Sequence, residues 1–103
     1  MPYKISLLES LLEPAPPIVD RYYDTLEEIG DLKKNYWEYM NTEPIDVEAE
    51  LARLPEADYD LCAALLTMLL REDHFSNGAF EERFNNNEVQ PIIIRMIQLL
   101  EGK

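Results

Sequence analysis

Apolar residues recur along this chain at helical spacing, and turn-forming residues cut the pattern into segments. Ile5, Leu8 and Leu12 share one face, with Leu7 and Leu11 beside it, while Lys4, Ser6, Glu9, Ser10 and Glu13 take the other side. Pro14 ends that helix, because the residue before a proline avoids the helical region. Residues 14–17 read as a stiff extended link, and Pro17 suits the first position of a second helix. Val19, Tyr22, Leu26 and Ile29 follow at spacings of three and four. Gly30 fits the left-handed position that closes such a helix. Asp31 then reads as the cap of a third helix with Leu32, Tyr36, Tyr39 and Met40 on one side; a single long helix kinked at Gly30 is the alternative.

Residues 41–45 read as a loop around Pro44. Asp46 is placed to cap a short helix bearing Val47, Leu51 and Leu54, stopped by Pro55. Asp58 is placed to cap a central helix whose residues 61–70 are apolar except for Thr67. A helix apolar on nearly all sides belongs inside a fold. A last helix carries Ile92, Ile93, Ile94, Met96, Ile97, Leu99 and Leu100, leaving Arg95, Gln98 and Glu101 as a narrow polar stripe. The pattern predicts an all-α protein, a compact bundle of five or six helices. Its centre is a buried helix near 58–73 and a buried C-terminal helix near 88–101.

Between those two helices, residues 69–84 read LLREDHFSNGAFEERF and hold the chain's one histidine. Ser76 as an N-cap would set Phe75 and Phe80 at the spacing of a hydrophobic staple. Asn85, Asn86 and Asn87 end the short helix that follows, since asparagine tolerates left-handed geometry. Arg71, Asp73 and His74 are the candidate chemistry of this corner, with Arg71 expected to clamp it through Asp73, Glu81 or Glu82, or through the exposed carbonyls at the helix end. His74 lacks a second ligand three or four residues away, and one thiol cannot complete a zinc site. No metal and no cofactor is therefore expected, and no catalytic residue is assigned. Trp37 lies off the apolar stripe of its segment and is the expected exposed contact, within a group that includes Tyr22, Tyr23, Tyr36 and Tyr39.

The chain has 103 residues, enough for one domain spanning 1–103 with a real core. Its net charge is −12, and residues 1–60 hold most of it: 15 acids against 5 bases, a net of −10. Such a surface repels phosphate backbones and anionic lipid, so neither nucleic acid nor membrane is expected as a direct partner, whereas a basic protein is compatible. Residues 43–60 hold seven acids and one base, Arg53. They read mainly as a solvated face with caps, and otherwise as a docking surface. One cysteine, Cys62, excludes an intrachain disulfide and reads as an inert core thiol. The first residues show no signal-peptide pattern, and the 61–70 run is about half of what spans a bilayer, so the expected compartment is the cytoplasm. Oligomeric state stays open, although Leu7 or Leu11, if exposed, would support a dimer.

The run from Ala64 to Leu100 also carries a family pattern. Leu65, Leu66 and Thr67 open it, Arg71, Asp73, Phe75 and Gly78 follow, Asn86 and Asn87 make a turn, and Arg95 lies on a last helix. Over about residues 57–100 the chain resembles the family called domain of unknown function 6508, with Asn87 where that family has a turn glycine. The resemblance implies a small protein of bacterial or phage type, and it implies no activity. Three functions follow from these readings. The first is a non-enzymatic protein-interaction module using the acidic, aromatic N-terminal half. The second is a small-ligand binder or enzyme with a corner pocket at Arg71, Asp73 and His74. The third is a nucleic-acid-mimicking inhibitor of a basic protein.

Overall fold

A computed structural model of the chain describes residues 2–13 and 18–102. The expected stiff link at 14–17 lies outside the described residues. Six α-helices occur among the described residues: α1 (Pro2–Ser10), α2 (Ile18–Ile29), α3 (Val47–Leu51), α4 (Tyr59–Phe75), α5 (Ala79–Asn85) and α6 (Gln90–Leu100). Single 3-10 turns stand at Tyr36–Tyr39 and Leu54–Glu56. No strand occurs among the described residues, so the fold is an all-α bundle, within principal dimensions of 37 × 29 × 23 Å.

Helix α4 is the centre. Every residue from Cys62 to Leu70 is buried, and α3, α5, α6 and the Tyr36–Tyr39 turn all pack on it. Helix α6 lies along α4 with Ile92, Ile93, Met96 and Ile97 inward, and α1 covers α6 with Leu8. Leu11, just past α1, is buried and accepts a hydrogen bond at its carbonyl from the Tyr22 hydroxyl, at 2.8 Å. Tyr22 in turn meets Phe80 edge-on at 4.8 Å, which ties α2 to α5. Burial raises the Tyr22 hydroxyl above its ordinary range, so it stays a donor at all physiological pH. No helix among the described residues is long and apolar enough to cross a membrane.

Local capping chemistry sets several boundaries. The Asp46 side chain accepts from the Ala49 N–H and that of Asp58 from the Leu61 N–H. Gly30 at φ 79° ends α2 with paired backbone bonds, Gly30 N–H to Glu27 and Asp31 N–H to Leu26. The same pair of bonds recurs after α5, where Asn87 takes φ 60°.

Three expectations need correction. The segment after Gly30 forms no α-helix; its regular part is the Tyr36–Tyr39 turn, capped by no side chain. The reason is tertiary. The Asp31 carboxylate turns inward to accept from the Tyr59 hydroxyl and to pair with Lys4 at 3.0 Å, and the Lys33 N–H is taken by Thr67 Oγ1. The polar stripe of α6 is also altered. Arg95 is half-buried and donates from Nε to the Ala57 carbonyl at 3.0 Å, while Ile94 is 44% exposed. Finally, Leu11 is buried and Leu7 half-buried, so neither lies open on the surface.

Candidate functional site

Helix α4 continues through Phe75, so Ser76 is its C-cap instead, donating its N–H to the Glu72 carbonyl. The start of α5 is held from the preceding helix: Asp73 Oδ1 accepts from the N–H groups of Gly78 and Phe80, both at 3.1 Å. Gly78 takes φ 90°, a conformation costly for residues with a Cβ, and so reverses the chain. There is no staple. Phe80 is buried, whereas Phe75 is 84% exposed and meets the His74 ring edge-on at 5.1 Å.

No hydrogen bond or ion pair joins Arg71, Asp73 and His74 to one another. Asp73 is committed to the turn. His74 is exposed in the last turn of α4. Arg71 lines a hollow of about 230 Å³ with Tyr23, Leu32, Lys34 and Thr67. It is not the corner clamp.

That role belongs to Arg83, which the sequence reading did not single out. Its Nε and Nη2 grip both oxygens of Glu72, and its Nη1 reaches Glu88 at 2.8 Å and Glu48 at 3.1 Å. The guanidinium thus joins α3, α4, α5 and the α5–α6 turn. Its bond to Glu72 is the main cause of a pKa raised above the ordinary arginine value. Partners 11 and 35 residues distant leave no local signal for this clamp.

A second unforeseen centre is Glu50, 0% exposed. It accepts from the N–H groups of Asn41 (2.9 Å) and Thr42 (2.7 Å), from the Thr42 hydroxyl, and from Arg53 at 2.8 Å. Burial pushes its carboxyl up, but the bonds from Thr42, Arg53 and Asn41 outweigh burial, and the net shift is downward. The Glu50–Arg53 spacing of three was the available clue. Glu50 holds the 41–42 backbone, and thereby shapes the loop beside Trp37.

Trp37 is 58% exposed, its ring set edge-on to Tyr36 at 5.7 Å. With Met40 and residues 41–45 it lines a hollow of about 360 Å³. Glu43, which lines the hollow, and Glu38, next to Trp37 in sequence, are both exposed and make no ion pair with the described residues. By contrast, most acids of the 43–60 stretch have structural duties. Asp46 and Asp58 cap helices, Glu50 is the buried hub, Glu48 pairs with Arg83, and Asp60 pairs with Lys33 at 3.2 Å.

Among the described residues no group of three His, Cys, Asp or Glu side chains is placed to hold a metal ion. Burial pushes the Cys62 thiol up to about 11, which leaves it protonated and unreactive at neutral pH. Two hollows carry groups suited to recognition: an indole with Glu43 at one, and two cations at the other. No curated protein and no solved structure matches this chain. A family match does exist and extends well beyond the C-terminal segment in which the resemblance is visible by eye. It covers residues 15–102, so the chain belongs to the family of unknown function DUF6508.

Proposed function

We propose that this protein is a non-enzymatic, cytoplasmic interaction module that takes a basic polypeptide segment at the Trp37 hollow. The observation that carries the reading is an exposed indole that shares its hollow with Glu43, a carboxylate without an ionic partner among the described residues. An aromatic face attracts a lysine or arginine head group, and adjacent carboxylates add charge-assisted bonds to it. Tryptophan is also enriched among the residues that dominate interface energies. The net charge of −12 favours the approach of a basic partner over long range. The cytoplasmic setting rests on composition, an acidic chain with a single cysteine.

Trp37 is the chain's one tryptophan, so its emission reports on this hollow alone. Titration with an oligo-arginine peptide at low salt is expected to give a saturable change in emission that weakens as salt rises. An oligo-glutamate peptide is expected to give none. In calorimetry, Trp37→Leu is expected to weaken peptide binding by roughly fivefold, in line with a cation–π contact. Undiminished binding by Trp37→Leu would sink the reading.

A further inference from the structure

We propose that the hollow between α2 and α4 is a binding site for a small monocarboxylate with an apolar body. The site is separate from the Trp37 hollow and shares no lining residue with it. Among the described residues five line it: Tyr23 from α2, Leu32 and Lys34 from the link that follows, and Thr67 and Arg71 from α4.

In so acidic a chain, the other described lysines and arginines are held. Lys4 pairs with Asp31, Lys33 with Asp60, Arg53 with Glu50, and Arg83 with three glutamates. Arg21 and Arg95 donate to backbone carbonyls. Lys34 and Arg71 alone make no hydrogen bond or ion pair with the described residues, and both line this one hollow. The acids next to Arg71 in sequence are engaged elsewhere, Glu72 by Arg83 and Asp73 by the backbone of Gly78 and Phe80. Nor does the Tyr23 hydroxyl make a hydrogen bond with the described residues. Three donors without partners thus share one concavity.

The rest of the lining sets the ligand's class. Leu32, the Tyr23 ring and the stems of Lys34 and Arg71 supply apolar wall. Thr67 adds no free polar group, since its hydroxyl donates to the Ala63 carbonyl and accepts from the Lys33 N–H. A guanidinium fork fits the two oxygens of a carboxylate, and an ammonium adds a point charge. A cavity of about 150 Å³ accepts benzene. The 230 Å³ here accordingly holds one ring or a short chain with its acid group, and is small for a folded peptide segment. Such a ligand, of about ten non-hydrogen atoms, is expected to bind near the millimolar range.

The test uses the whole chain with phenylacetate and hexanoate as probes, read by backbone amide shifts and calorimetry. At least one acid is expected to bind saturably at one site, moving the amides of Leu32, Thr67 and Arg71. Its neutral amide, and the acid against Arg71→Gln or Lys34→Gln, are expected to bind roughly tenfold more weakly, the loss typical of one charge-assisted contact. Both substituted residues are exposed, so the same spectra verify that the variants keep the fold. The proposal is overturned if neither acid binds, if the neutral amides bind equally well, or if both variants bind as the parent does. It is also overturned if inorganic phosphate, or a peptide offering its C-terminal carboxylate, binds more tightly than the free acids. None of these results bears on the Trp37 reading.

Discussion

Asp73 and Ser76 stand three residues apart, and each could by type cap the start of α5. The choice falls on Asp73 because α4 runs on to Phe75, which brings its carboxylate back under the Gly78 and Phe80 N–H groups. Replacing Asp73 with alanine is expected to cost about 1–2 kcal/mol, the usual range for a lost cap. Ser76→Ala is expected to change stability by less than about 0.5 kcal/mol. Urea unfolding of the two variants checks the assignment, and a larger loss in the serine variant would reverse it. Glu50 allows a test through pH. Its carboxyl lies below its ordinary 4.5 in the folded protein, so its contribution is fully present above that value. The contribution is lost as pH falls through the folded-state value. Glu50→Ala is expected to cost roughly 2–3 kcal/mol at pH 7, since it strands the Asn41 and Thr42 donors and the Arg53 charge. Unfolding midpoints measured from pH 7 down to pH 3 should therefore fall less steeply in the variant than in the parent.

Helix ends show which parts of the architecture are readable without coordinates. Gly30, Asp46, Asp58 and Asn87 act on backbone within a few residues of themselves, so residue type and spacing suffice. Gly30→Ala is expected to cost about 1–2 kcal/mol from the left-handed backbone alone, because an added Cβ there meets nothing within 4 Å. Thermal unfolding compared with an alanine variant at exposed Gln98 would show that cost. The failures were tertiary. Asp31 has the type and position of a cap, yet Tyr59 and Lys4 take its carboxylate, and the expected third helix shrinks to one turn. Arg83 looks like one more surface charge until α3, α4 and the α5–α6 turn close around it. Of the candidate site, Trp37 was legible because it broke the apolar period. Arg71 was legible as a candidate but was given the clamp's task, because the residues that share its hollow, Tyr23 and Lys34, lie 48 and 37 positions earlier and no spacing rule joins them.

Charge dominates the protein's outward behaviour. A net −12 on 103 residues carries self-repulsion that salt should relieve. The exposed ion pairs that salt also screens contribute little. Raising sodium chloride from a few millimolar to about 0.15 M, where screening acts over roughly 8 Å, is expected to raise Tm. A fall in Tm would mean that the networks around Arg83 and Glu50 outweigh the repulsion. The same charge makes unspecific attraction of cationic peptides easy, so binding alone says little about where recognition occurs. The decisive measurement is backbone amide shift mapping during titration with an oligo-arginine peptide. Recognition at the indole predicts that the largest shifts fall within residues 37–45 and saturate together with the change in Trp37 emission. Shifts spread along the exposed acids of α2, with residues 37–45 unmoved, would contradict it.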